Sequence, residues 1–189
     1  MEMIVEIDSV SLKADLKELI KSLDSQDLNM YRAKQYRKFT IEMGKAGRLG
    51  LKERSALTEY MAGAEAPLYV TGKLFEHMRV KPGDKKSAEA GYFGGDGEVP
   101  SIGEKKLTYT DLAILHHTGY RVPLQGEKGQ RVRKWFLACY GVRFASDRQW
   151  LVVPPRPFMF KSCDEYKNGG EDIRATENYI EKVLKGRFD

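Results

Sequence analysis

The chain has 189 residues with a formal net charge of +5, and 41% of its residues are hydrophobic. This length fits one domain of ordinary size and excludes two large ones, while the apolar content excludes a disordered chain. Apolar runs such as 150–153 last about four residues, far short of the roughly 18 that a membrane span requires. Glu2 and Glu6 interrupt the segment where a signal peptide would need its apolar block. We therefore expect a soluble protein without a membrane anchor.

The first 66 residues are predicted to be helical. Apolar residues recur at helical spacing over about 12–23 and again over about 27–45, and a third helix is predicted over about 52–61. In the second helix Tyr31 and Tyr36 alternate with basic residues, a pattern that nucleic-acid-binding proteins also use. Aromatic residues at helical spacing more often pack a core, so we favour packing as their role.

The pattern changes at residue 67, where short apolar stretches are separated by glycine, proline and charged residues. These stretches predict strands at 68–70, 78–80 and 88–93, and a short helix at 74–77 that Thr71 begins. Residues 94–106 contain four glycines and one proline among few apolar side chains, which predicts a long surface loop.

The remainder of the chain alternates helix and strand. The predicted elements are helices at 109–117, 131–139 and about 171–185, and a strand at 149–153. Three prolines follow that strand and impose an extended segment. The last helix is expected to bury Ile173, Ile180, Val183 and Leu184.

This order of elements predicts the α+β class, with N-terminal helices and a C-terminal helix packed on a mostly antiparallel β-sheet. We expect a single domain over residues 1–189. It would comprise a helical part at 1–66, a sheet-containing core at 67–160 with its loop at 94–106, and the C-terminal helix within 161–189.

Motifs for catalysis and cofactor binding are incomplete. The segment around Gly72 lacks the first glycine and the final hydroxyl of a phosphate-binding loop. His116 and His117 are adjacent, and neighbouring helix positions point about 100° apart, so one metal site would hardly use both. Cys139 and Cys163 are too few for a disulfide framework and suit a reducing compartment. We therefore predict no enzymatic activity, no cofactor and no metal.

Three ordered motifs are more informative. They are Pro67-Leu68-x-x-Thr71-Gly72-x-Leu74, then Ala113-x-x-His116-x-x-Gly119, then Pro154-x-Arg156-Pro157-Phe158 followed by a C-terminal helix. Together they resemble the virion-morphogenesis, or tail-completion, proteins of Mu-like tailed bacteriophages and their prophage relatives. The resemblance covers about residues 10–185. It departs from the family pattern at Leu112, where an aromatic residue is usual, and at His77, where a small hydroxyl residue is usual.

The resemblance implies a non-enzymatic structural protein at the head–tail junction, acting in tail completion or head–tail joining. Such proteins are expected to form homo-oligomeric rings, often sixfold. Their partners would be other neck, tail-terminator, tail-tube or connector proteins. A protein of this kind would be assembled in the host cytoplasm and end up in the virion neck or tail.

The motif residues have physical roles that suit such a protein. Thr71 and Gly72 would set a sharp strand-to-helix entry, and Gly119 would provide a left-handed helix stop. The prolines around Arg156 stiffen the chain, so Phe158 ends a rigid arm. That arm can dock against a neighbouring subunit, or it can cross the core of its own subunit.

The positive charge is concentrated in one segment. Residues 121–161 hold nine basic and two acidic residues, a net charge of +7, whereas the remainder of the chain sums to −2. The segment can face DNA that passes through a ring lumen, meet an acidic surface on another virion protein, or form a solvated helix face. The alternative function is a nucleic-acid-binding accessory protein that uses residues 121–148. The candidate contact residues are Arg131, Arg133, Lys134, Arg143 and Arg148.

Overall fold

A computed structural model describes residues 9–23, 25–51, 72–95, 97–99 and 107–188. Its first two helices, α1 (Ser9–Leu23) and α2 (Gln26–Lys45), confirm the helical prediction for this part of the chain. The predicted helix at 52–61 and the predicted strand at 68–70 lie outside the described residues. None of the described helices combines the length and the apolar composition that crossing a bilayer requires.

The middle of the chain contains short elements. They are α3 (Lys73–Glu76), β1 (Arg79–Pro82), β2 (Ala88–Gly91), β3 (Glu98–Val99) and β4 (Leu107–Thr108). The strands predicted near residues 78 and 88 and the helix at 74 are therefore confirmed. The prediction of a continuous surface loop over 94–106 is wrong at Glu98–Val99, because these residues form β3, which pairs antiparallel with β4. Residues 96 and 100–106 lie outside the described ranges.

The next part of the chain forms α4 (Tyr109–Thr118), β5 (Tyr120–Pro123), α5 (Gly126–Tyr140) and β6 (Trp150–Val153). Thr108 caps α4, because its hydroxyl accepts from the Asp111 N–H and the Asp111 carboxylate accepts from the Thr108 N–H. The helix predicted at 131–139 begins five residues earlier than expected. Its first turns include Gly129, where a Cβ would lie 2.2 Å from the Leu124 carbonyl carbon, so the absent side chain permits close packing.

The C-terminal region contains two helices where one was predicted. These are α6 (Phe158–Asn168) and α7 (Glu171–Phe188). The missed helix, α6, begins directly after Pro157, whose carbonyl accepts from the Lys161 N–H at 3.0 Å in its first turn. Prolines favour an extended chain, but they are also well tolerated at the start of a helix. The three prolines before α6 therefore gave no sequence signal that a helix follows them.

The α+β prediction is confirmed, with one difference in the sheet. The described strands form three separate two-stranded sheets, β1–β2, β3–β4 and β5–β6. In the last of these, an antiparallel ladder aligns Tyr120 with Val153 and Pro123 with Trp150. Most of the buried apolar side chains lie on helices, among them Phe75, Ala113 and Phe158.

The chain divides into two compact units that take alternating segments of sequence. The first unit comprises 1–38, 80–91 and 165–189, and the second comprises 39–79 and 92–164. These segments do not follow the expected boundaries at residues 66 and 160, and the single-domain assignment stays a prediction.

The first unit contains a forked ion pair between α2 and α7. Arg32 Nε donates to Asp172 Oδ1 at 2.8 Å while Nη2 binds Oδ2. The hydrogen bond to Asp172 raises the pKa of Arg32. The Tyr166 hydroxyl donates to the Arg32 carbonyl at 3.4 Å, and burial raises the pKa of Tyr166 to about 12.

Candidate functional site

The three motifs come together in the core of the second unit, to the extent that the structure describes them. Leu74 on α3, Ala113 on α4 and Phe158 at the start of α6 are all buried in one apolar cluster, together with Leu49 and Phe75. More than 80 residues separate the first motif from the last. The motifs therefore contact one another in the folded chain, and their spacing in the sequence does not predict that contact.

Phe158 is the centre of this cluster. Its side chain is fully buried, and its ring lies 5.8 Å from the ring of Phe75 and 6.2 Å from the ring of Tyr92, both in edge-on arrangements. Tyr92 also donates its hydroxyl to the Leu74 carbonyl at 2.9 Å. Of the two roles open for the proline arm, the structure supports the second: Phe158 packs into its own subunit and does not present an anchor to a neighbour.

The backbone of the proline arm is hydrogen-bonded to α4. The Arg156 N–H donates to the His116 carbonyl at 2.7 Å, and the Phe158 N–H donates to the Arg156 carbonyl at 2.7 Å. Pro154, Pro155 and Pro157 have no N–H, so Arg156 supplies the donor within the proline run. His116, a residue of the second motif, thus accepts the backbone hydrogen bond that joins the third motif to the second.

The Arg156 side chain is buried, with 4% of its surface exposed. Burial lowers the pKa of its guanidinium, and the neighbouring Tyr120 phenol partly opposes this change. Burial likewise raises the pKa of Tyr120, while the charge of Arg156 acts in the opposite direction. The cation is held inside the protein and is not offered to a partner.

Gly119 allows the same segment to approach closely. Its φ is 73° and its ψ is 163°, a region that only glycine adopts readily. A Cβ at this position would lie 2.6 Å from the Pro155 nitrogen and 2.9 Å from the Val153 carbonyl oxygen. The predicted helix stop at Gly119 is confirmed, because α4 ends at Thr118 and Gly119 is its C-cap, but a left-handed helical conformation is wrong, because its ψ of 163° lies outside that region. The glycine also permits the close contact with Pro155.

The first motif is only partly described. Thr71 lies outside the described residues, so its predicted capping role stays a prediction. Gly72 precedes α3 at the N-cap position with φ 75°, and Leu74 is buried.

The basic residues predicted as a contact surface serve several different purposes. Arg133 on α5 directs its guanidinium to four backbone carbonyls: Nε donates to Leu124 at 2.9 Å, Nη1 to Phe144 at 2.9 Å and Ala145 at 3.0 Å, and Nη2 to Arg148 at 2.6 Å. Four such bonds use most of its donors. Arg133 is a structural clamp for the connection between α5 and β6.

Two other predicted contact residues also have intramolecular partners. Arg148 donates to the Trp150 carbonyl at 3.2 Å and lies over the Phe144 ring, 5.5 Å from its centroid. Arg131 forms an exposed ion pair with Glu127, one helical turn away. Within the described parts of the chain, Lys134 and Arg143 are exposed and have no such partner.

A shallow cavity of about 390 Å³ lies beside the clamp. It is lined by Leu124, Gln125, Gly126, Gln130, Arg133, Phe144 and Ser146. Among the residues that are described, no three His, Cys, Asp or Glu side chains are grouped as a metal site would require. The predictions of no metal and no cofactor stay predictions.

Comparisons with protein-family models, with curated proteins and with solved structures find no match to this chain. The resemblance to phage morphogenesis proteins therefore depends on the three motifs and their arrangement.

Proposed function

We propose that this chain is a non-enzymatic structural protein of the head–tail junction of a tailed bacteriophage, acting in tail completion or head–tail joining as a homo-oligomeric ring. The observation that carries the proposal is the meeting of the three motifs in one core. Ala113, Arg156 and Phe158 are each at most 6% exposed, and each contributes to packing or to a buried contact. Residues used in this way maintain a subunit shape, which is what an assembling structural protein requires.

The basic segment favours this role over a dedicated nucleic-acid binder. Arg133 directs its guanidinium to four backbone carbonyls, and Arg156 is buried. Fewer cations are then available for phosphate contacts than the net charge of +7 suggests. Lys134 and Arg143 can still make weak contacts with passing DNA or with an acidic virion protein.

Electron microscopy of particles assembled without this protein tests the proposal. We expect unjoined heads and tails, or tails of abnormal length, and we expect the wild-type gene supplied in trans to restore normal particles. A variant with Cys139→Ser and Cys163→Ser should restore them equally, because a structural role needs neither thiol. Normal virions in the absence of the protein would contradict the proposed function, and failure of the double variant despite normal folding would favour a thiol enzyme.

A further inference from the structure

The β5–β6 sheet exposes an apolar face. Side chains alternate along both strands, and the register places Arg121 opposite Val152 and Pro123 opposite Trp150 on the exposed side. Trp150 is 45% exposed and Val152 is 54% exposed. We call these four residues the hairpin face, although the two antiparallel strands are joined through α5 and not by a tight turn. Large apolar side chains grouped at the surface are typical of a protein contact.

Helix α7 carries a second exposed apolar surface. Ala175 is buried, and Tyr179 packs against Tyr31 with ring centroids 5.5 Å apart, so these residues mark the packed side. A different side holds Ile173, Glu177, Ile180 and Leu184, whose spacing of four, three and four residues places them in one row. Ile180 is half-buried, and the other three are exposed. We call this row the α7 stripe. Ile173, at 63% exposed, and Leu184, at 37%, were expected to be buried, and that expectation is wrong.

The two surfaces are complementary in charge and in length. Arg121 lies on the hairpin face and Glu177 lies in the α7 stripe, and neither has an ion-pair partner within the described residues. A four-residue strand spans about 13 Å. The rise from Ile173 to Leu184 is about 16 Å. The hairpin face and the α7 stripe are therefore both largely apolar and similar in length, and one carries a cation where the other carries an anion.

The exposed face of α1 is a poorer complement. It presents Leu16 and Ile20, at 47% and 65% exposed, but Lys13, Lys17 and Lys21 lie on the same helix. Lys13 and Lys17 stand three residues before Leu16 and Ile20, on the same helix face, so they would place like charge against Arg121 and disfavour the contact. The α7 stripe, which has Glu177 among its apolar residues, is therefore the better complement to Arg121.

We infer that the hairpin face of one copy of this chain binds the α7 stripe of a second copy. Because the two surfaces differ, the contact is heterologous, and each copy keeps one unused surface of each kind through which further copies can join. The inference names the partner surface for the self-assembly that the proposed function requires, and it rests on that function.

A mixing experiment tests this arrangement. Trp150→Glu disables the hairpin face, and Ile173→Glu disables the α7 stripe. In sedimentation at about 100 µM, a concentration that populates contacts with dissociation constants in the micromolar range, we expect oligomers for the wild type and monomers for each variant. Removal of a central tryptophan should raise the dissociation constant at least about thirtyfold. An equimolar mixture should form a one-to-one dimer, because the intact hairpin face of the Ile173→Glu chain meets the intact stripe of the Trp150→Glu chain.

The matched control is Ile20→Glu on α1. It makes the same substitution in a helix at nearly the same exposure, 65% against 63% for Ile173, and should leave the oligomer unchanged. Recovery of a dimer from the mixture also shows that both variants are folded. A monomeric wild type, a mixture that stays monomeric, or equal disruption by Ile20→Glu would each overturn the inference.

The sedimentation test of this interface can fail or succeed independently of the microscopy test of the head–tail role. If particles lacking the protein show unjoined heads and tails while these sedimentation results are negative, the head–tail role stands and this interface is wrong. If the mixture forms the dimer while particles lacking the protein are normal, the self-association stands and the head–tail role is wrong.

Discussion

At the residue scale, Gly119 shows how one position joins two motifs. Its backbone adopts a conformation that favours glycine, and the space where a side chain would stand is occupied by Pro155 and Val153. The motif spacing identified this glycine. The reason for it, a close contact with a segment more than 30 residues away, belongs to the tertiary structure.

Gly119→Ala should destabilise the second unit by about 3 kcal/mol or more, since it combines positive-φ strain with a clash against backbone. Gly141→Ala is the matched control. Gly141 also has positive φ, at 66°, but a Cβ there meets no atom within 4 Å. It should cost only about 1 kcal/mol. Chemical denaturation measures both, and equal losses would contradict the steric explanation.

Tyr166 predicts a response to alkaline pH. Its pKa is raised to about 12, principally by burial, whereas an unfolded tyrosine titrates near its ordinary value of 10. A raised folded-state pKa means that the stabilisation is complete below pH 10 and is lost as the pH rises towards 12. The free energy of unfolding should therefore fall more steeply between pH 10 and 12 in the wild type than in Tyr166→Phe. Parallel pH profiles for the two proteins would contradict this prediction.

At the element scale, the connection between α5 and β6 depends on Arg133. This connection, residues 141–149, has no regular secondary structure, yet Arg133 binds three of its carbonyls. One planar cation thus replaces the hydrogen bonds that a strand or helix would have supplied.

Arg133→Lys should lower the free energy of unfolding by about 1 to 2 kcal/mol, because lysine keeps the charge but cannot direct donors to four carbonyls at once. Hydrogen exchange in residues 141–149 should become faster. Arg131→Lys is the control. The Arg131–Glu127 pair is exposed, so its conservative replacement should change stability by less than about 0.5 kcal/mol. Equal effects of the two substitutions would refute the clamp.

At the scale of the whole molecule, the basic segment offers a partner fewer cations than its net charge suggests. The segment carries +7, but its arginines are divided between backbone carbonyls, one ion pair, one buried position and solvent. Arg131 and Arg148 remain exposed, whereas Arg133 is half-buried and Arg156 is buried, so nucleic acid can reach only part of this charge.

Short duplex DNA should therefore bind weakly at physiological salt, with a dissociation constant above about 1 µM. Lys134→Glu with Arg143→Glu should weaken that binding and reduce the dependence of log K on log salt by about two. Fluorescence anisotropy across a salt series measures both quantities. Nanomolar binding would favour the nucleic-acid-binding alternative over the head–tail role.

The elements were largely predictable because they depend on local patterns. Apolar spacing predicted α1, α2, α4 and α7, and a short continuous apolar run predicted β6. The strand β5 was missed: its four residues, Tyr120–Pro123, include one arginine and one proline, and only pairing with β6 makes them a strand. The α6 helix was missed because its three preceding prolines suggested an extended chain.

The sequence by itself determined the α+β class, the segment that holds the excess charge and the positions of the three motifs. Those properties follow from composition and from the periods of helix and strand, which are local. The tertiary structure alone decided that Phe158 is buried, that Arg133 binds carbonyls, and that Ile173 and Trp150 face solvent. Burial and hydrogen-bond partners depend on which distant segments meet, and neither residue type nor spacing specifies that meeting.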